Sequence, residues 1–220
     1  MAACIAGMVS TLARGGVIAF GAIMLGLAIF GIKSKGAFKK FLSLILVIGS
    51  IVGIIAFAPS AFKERASTIV QYQSQITAQS RIEYWKLGIK MFLSNPLIGV
   101  GAGNYPVRYW DFGGWERHWR VSHNMYIEAL SELGILGFGC LFLLLYCTFK
   151  DGFSTIKLLR EGDKADTFLY SAAQALILSL FGYCVGGMFQ SIFTYPIFYM
   201  IIGLIVATKN IMMQTIENKS

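Results

Sequence analysis

The loop that ends in Ser122-His123-Asn124 gathers the side chains best suited to chemistry in this sequence: Arg81, Arg108, Arg117 and Arg120 with both histidines, His118 and His123. Apolar segments flank this loop on each side. Guanidinium groups stay charged at any working pH and hold anions, and a histidine exchanges its proton near neutrality. Anion binding joined to proton exchange is therefore the chemistry on offer. Asn124 follows His123 in the place of a helix N-cap, at the start of an apolar run. Asn124, Glu128 and Glu132 then recur every fourth residue, a polar stripe on an otherwise apolar helix. Two carboxylates entering a membrane span are costly unless they face protein or water. A structural cap with an interhelical hydrogen-bond ladder competes here with a proton-transfer site. Glu128 and Glu132 could also hold a divalent metal, although two carboxylates alone are a thin basis for one.

Two further arginines stand out. Arg14 lies in Ser10-Thr11-Leu12-Ala13-Arg14-Gly15-Gly16, inside or at the outer end of an apolar span. A charge at the bilayer centre costs about 2.5–3.5 kcal/mol on insertion scales, so Arg14 either has a partner or wet cavity or snorkels from a helix end. Ser80-Arg81-Ile82-Glu83 matches a capping box, which puts Arg81 in the first turn of a helix. A cation there opposes the helix dipole. A solvated charge is the simpler account, while a bound anion would let backbone amides and guanidinium converge. Beyond it, Ile82, Trp85, Ile89 and Phe92 share one helical face, opposite Glu83, Lys86 and Lys90. This pattern predicts a helix lying in the membrane interface, ended by Asn95-Pro96.

Other motifs point less far. Gly99-Val100-Gly101-Ala102-Gly103-Asn104 has the glycines of a phosphate loop, but no strand precedes it and Tyr105-Pro106 follows in place of a helix. It reads as a turn that permits close backbone approach. Tyr109 to Phe112 and Trp115 to Arg120 interleave aromatics with charge. Such rings anchor at membrane interfaces or stack on sugars. The four cysteines lie in apolar stretches with no metal-ligand spacing.

The elements that must position these groups are set by composition. The chain is 56% hydrophobic and 14% charged, against about 25% charged in soluble domains, so it reads as an all-α polytopic membrane protein. The net charge of +8 does not point to nucleic acid, because Lys33, Lys35, Lys39 and Lys40 sit between two apolar spans. Five spans are expected, at 6–32, 41–58, 125–149, 168–188 and 195–207. Phe189 to Thr194 makes the last two a tight hairpin. The basic loops 33–40 and 150–166 belong inside by the positive-inside rule, so the long loop faces outward. Residues 1–58 then form two membrane helices, 59–124 the outer loop with its interfacial helix, and 125–220 three membrane helices with a cytoplasmic tail. An N-terminus outside the membrane, with no signal peptide, leads to the expectation that the chain is the C-terminal part of something longer.

Three of these stretches match a known pattern in order and spacing. Ser10 to Gly15, then Arg81-x-x-x-Trp85 with Asn95-Pro96-Leu97-Ile98-Gly99-Val100-Gly101-x-Gly103-Asn104, then Ser122-His123-Asn124-x-Tyr126 through Glu132-x-Gly134 resemble the C-terminal half of the O-antigen ligase and O-antigen polymerase family. Ala13 departs from it, standing where serine is common, and the family's preceding set of membrane helices is missing from this sequence. The resemblance implies a glycosyltransferase of the bacterial inner membrane, working at its outer face. It would move a glycan from an undecaprenyl-pyrophosphate carrier to an acceptor hydroxyl, on lipid A–core or on a carrier-linked repeat unit. By the same resemblance Arg14 and Arg81 would hold the pyrophosphate and His123 would act on the acceptor or the leaving phosphate. Asn124, Glu128 and Glu132 would support them. No nucleotide, metal or other cofactor is implied. A transporter or flippase component whose arginines only bind an anionic lipid head group is the alternative from the same residues.

Overall fold

The computed structural model describes residues 14–32, 73–114, 120–161 and 167–217, together with Ile45 and Ile48. They form α1 (Arg14–Ile32), α2 (Gln73–Ser94), α3 (Tyr105–Arg108), α4 (Met125–Glu161), α5 (Thr167–Gly186) and α6 (Pro196–Glu217), with no strand among the described residues. Three helices are long and apolar enough to cross a membrane: Met125–Arg160, Phe168–Gly186 and Pro196–Thr215. Their surfaces fit that solvent, for Leu136, Leu143, Tyr146 and Phe168 project outward with 60% or more of their area exposed. The five expected spans are thus three among the described residues. The apolar part of α1, Ile18–Phe30, is shorter than a span. The span expected at 41–58 lies outside the described residues apart from Ile45 and Ile48, both helical.

The bundle is held by apolar contact. Ile177 and Leu180 of α5, Leu141 and Leu145 of α4, and Phe198 and Ile202 of α6 meet in one buried cluster. Small residues bring α1 against α5: a Cβ on Gly26 would come within 2.3 Å of Leu178, and one on Gly182 within 2.3 Å of Ile23. α4 runs past the expected end at Phe149 to Glu161. There Lys209 Nζ of α6 donates to Asp151 Oδ1 at 2.8 Å, tying the two helices together.

α2 corrects two expectations. It begins at Gln73, so Ser80 and Glu83 are interior residues and form no capping box, and Arg81 is not in a first turn. The helix continues upstream because Gln73 to Gln79 holds no proline or glycine to stop it. Its inward face is Tyr84, Leu87 and Met91, buried with Tyr105 and Tyr109 in a second cluster. The face grouped in the sequence divides: Trp85 and Phe92 are half-buried, while Ile82 and Ile89 are exposed. α2 lies close on α4, where a Cβ on Gly88 would meet Ile127 at 2.6 Å. A one-turn helix, α3, follows the glycine-rich stretch where the sequence reading had none.

α4 breaks at Gly134, whose backbone is non-helical at φ 63 and ψ −168. The break frees the Ile135 and Leu136 amides and the Ser131 and Glu132 carbonyls, which an unbroken helix would pair with one another. The glycine-rich loop takes up all four. Ile135 and Leu136 donate to the carbonyls of Pro96 and Leu97 at 2.8 and 3.2 Å, and the amides of Val100 and Gly101 donate to Ser131 and Glu132 at 2.9 Å each. Backbones pass this closely only without side chains. A Cβ on Gly99 would lie 2.3 Å from the Glu132 carbonyl carbon, and one on Gly134 would lie 2.4 Å from that of Leu97.

Gly99, Gly103 and Gly134 all have positive φ, but only Gly103 has open space around it. Gly134→Ala is expected to destabilise the protein by on the order of 3 kcal/mol or more, through backbone clash added to strain. Gly103→Ala should cost only about 1–2 kcal/mol, the left-handed penalty alone. Thermal unfolding in detergent checks the order of the two.

Candidate functional site

The turn before α4 is built from short polar residues. Asn124 is its N-cap, as expected: Oδ1 accepts from the amides of Tyr126 at 3.0 Å and Ile127 at 3.1 Å. Its Nδ2 donates to the Met188 carbonyl at 3.2 Å, tying the cap to the turn between α5 and α6. His123 has a left-handed backbone, φ 52, which costs about 1–2 kcal/mol in a residue with a Cβ. Two serines hold it there. Ser191 Oγ accepts from the His123 amide at 3.1 Å, and Ser122 Oγ accepts from the Asn124 amide at 3.1 Å. Ser122 Oγ also donates to the Glu128 carboxylate at 3.0 Å and lies 3.2 Å from Ser191 Oγ. Buried Glu128 thus anchors the serine pair through Ser122 in the first turn of α4, where the helix dipole favours an anion.

Glu132 serves elsewhere. It is 1% exposed, and its two oxygens accept from the amides of Gly103 at 2.7 Å and Tyr105 at 2.9 Å. It pins the glycine-rich loop to α4. The polar stripe therefore splits into a cap, a turn anchor and a loop anchor. Among the described residues no group of three metal-ligating side chains comes together.

α2 is aligned on this turn by Trp85, whose Nε1 donates to the Ser122 carbonyl at 3.0 Å. One helical turn earlier, Arg81 and His123 line the same cavity of about 330 Å³. The four-residue spacing of Arg81 and Trp85 thus has a physical reason, since one face of α2 both docks on the turn and presents the guanidinium. Among the described residues no carboxylate pairs with Arg81. The opposite wall is Phe189, Gln190, Ser191, Ile192 and Tyr195, from the turn between α5 and α6. Val121 and Gly15 complete the lining, Gly15 packed so that a Cβ on it would lie 2.6 Å from Phe189.

Arg81 and His123 are accordingly brought together. Arg14 opens α1 directly before Gly15, while its side chain lies outside the described residues. Arg108 pairs with Asp111 at 2.9 Å and does not line the cavity. Arg117 and His118 lie outside the described residues. Sequence reasoning missed the wall from 189 to 195. Gln190 and Ser191 were a visible signal, two polar residues at the tip of an apolar hairpin on the same side as His123.

Burial first, and then the charges of Arg81 and Arg120, hold the His123 imidazole below the ordinary histidine value of 6.5. His123 is therefore neutral at pH 7 and able to take a proton. With the folded value depressed, its contribution to stability is present above the unfolded value and lost as pH falls through the folded one. Removing a neighbouring cation must raise it. In Arg81→Gln the His123 titration is expected to move upward toward 6.5, as read by histidine NMR; an unchanged or lower midpoint contradicts this electrostatic assignment.

Glu132→Gln should lose one of the two loop-anchoring bonds and cost about 1–3 kcal/mol, seen as a lower melting temperature in detergent.

The sequence profile described as O-antigen ligase matches residues 1–142, which takes in α2, the glycine-rich loop, the break in α4 and the His123 turn. No curated protein and no solved structure matches the chain. With well over half of its length matched, the chain belongs to the O-antigen ligase family.

Proposed function

We propose that this chain carries the transfer centre of a membrane glycosyltransferase that moves a glycan from an undecaprenyl-pyrophosphate carrier to an acceptor sugar hydroxyl at the outer face of the inner membrane. Family membership supports glycan transfer in a membrane protein. The observation that carries the finer reading is the cavity in which Arg81 and His123 face one volume beside the start of α1.

In this reading the diphosphate of the carrier lies against Arg81, with Arg14 contributing from the end of α1. His123 takes the proton of the acceptor hydroxyl as its oxygen bonds to the anomeric carbon. The bond from that carbon to the diphosphate breaks, and its electron pair leaves with the phosphate oxygen. Charge grows on the diphosphate as the bond breaks, so a fixed guanidinium stabilises the transition state more than the ground state. The same charge lowers the cost of protonating His123, since the incoming anion offsets the repulsion of Arg81 and Arg120 that, after burial, keeps the imidazole neutral. Asn124 and Glu128 hold the turn, and Glu132 holds the loop that seats α2. The acceptor class, lipid A–core or a carrier-linked repeat unit, sets ligase against polymerase.

The test is transfer by the reconstituted protein with a carrier-linked glycan and an acceptor. His123→Ala is expected to lower turnover by about 10²–10⁴-fold, and Arg81→Ala by about 10²–10³-fold, the scale seen when one charge-stabilising donor is removed. Wild-type transfer rates in either variant would overturn its assigned role. Translocation of the carrier without any transferred product would favour the transport reading instead.

A further inference from the structure

Resting on that reading, we infer that Ser191, in the turn between α5 and α6, is a positioning residue for His123. It lies outside the matched stretch 1–142, in a segment that otherwise reads as a connection between two membrane helices. Yet this segment is bonded to the start of α4 at several points. Met125 donates its amide to the Gly187 carbonyl at 2.7 Å. Tyr126 Oη donates to the Cys184 carbonyl at 2.8 Å. Tyr183 Oη donates to the Ile192 carbonyl at 2.7 Å, closing the turn on itself. The turn is thus a fixed wall, and Ser191 is where that wall meets the backbone of His123.

The chemistry of the contact is specific to a hydroxyl. Ser191 Oγ accepts the His123 amide and lies 3.2 Å from Ser122 Oγ. Between the two serine hydroxyls either can donate to the other. Ser122 takes the next amide, that of Asn124, and bonds the Glu128 carboxylate. Glu128 thus orients the Ser122 hydroxyl, which touches that of Ser191, and the two hydroxyls hold two successive amides. Without Ser191 the His123 amide loses its acceptor and the left-handed turn loses one of its two holds. The imidazole would then relax away from the geometry it shares with Arg81. Displacement of a reacting group by about 1 Å is enough to cost on the order of 10²-fold in rate. Ser191 acts only through His123, so substrate affinity set by Arg81 should survive its loss.

The experiment compares Ser191→Ala and Ser191→Thr in the full reconstituted chain, with kcat and KM for the carrier-linked glycan measured separately. Ser191→Ala is expected to lower kcat by about 10–10²-fold with KM for the carrier within about threefold of wild type. Ser191→Thr, which keeps the hydroxyl, should restore most of the turnover. Wild-type kcat in Ser191→Ala overturns the inference. So does a loss equal in the alanine and threonine variants, since volume and not the hydroxyl would then matter. If Ser191→Ala fails to fold, Ser191→Cys keeps the volume and weakens the acceptor, and the same kcat criterion applies. His123→Ala separates the two levels: if it is inactive while Ser191→Ala is normal, only the role of Ser191 falls. If His123→Ala transfers at the wild-type rate, the role of His123 falls and that of Ser191 with it, while absence of transferred product from the wild-type chain is what overturns the transfer reading.

Discussion

When α4 breaks at Gly134, four backbone groups lose their helical partners, and in a membrane each must find another or cost several kcal/mol. The loop from Pro96 to Gly101 meets this constraint by exchange, supplying two carbonyls to the freed amides and two amides to the freed carbonyls. Most of the architecture around the His123 turn follows. The loop is covalently the end of α2, so its insertion sets where α2 lies. Glu132, in the last turn before the break, pins the far end of the same loop through Gly103 and Tyr105. Gly88 then lets α2 settle on Ile127 of α4. A helix that would otherwise sit loosely at the surface becomes a rigid mount for Arg81.

The second mount is the turn before α4. It is short, polar and half-buried, and its conformation is unfavourable at His123. Glu128 and the two serines make that conformation the stable one. Because Trp85 binds the Ser122 carbonyl, the two mounts are locked to each other and not merely near each other. The distance between guanidinium and imidazole is therefore a property of the fold. The neutral state of the imidazole follows first from its burial and then from that closeness, since two arginine charges also oppose its protonation.

Much of this was legible in the sequence, and the failures have physical causes. The apolar runs of α4, α5 and α6 were visible because spans of that length and composition have few other uses. The N-cap at Asn124 was visible because capping is local. The glycine-rich stretch could be refused as a nucleotide loop because no strand precedes it, although a one-turn helix does follow it, but its insertion into α4 could not be foreseen. That pairing is non-local, across more than thirty residues, and leaves no periodic trace. Ser80 to Glu83 resembled a helix start because the residues fit one, and nothing local showed that the helix was already running from Gln73. The stripe Asn124, Glu128 and Glu132 was seen as a unit, yet the break at Gly134 and the loop it admits give each residue a different partner. The wall from Phe189 to Tyr195 was missed because it comes to His123 only through tertiary packing.

The account stands or falls on what Arg81 holds. In the full protein reconstituted in lipid with an undecaprenyl-pyrophosphate-linked glycan, a solid-state NMR distance between the carrier phosphorus and the Arg81 guanidinium carbon tests it most directly. A separation within about 5 Å is predicted, the reach of a guanidinium–phosphate hydrogen bond. A carrier phosphorus bound well beyond about 8 Å from Arg81, more than twice that hydrogen-bond reach, would contradict it.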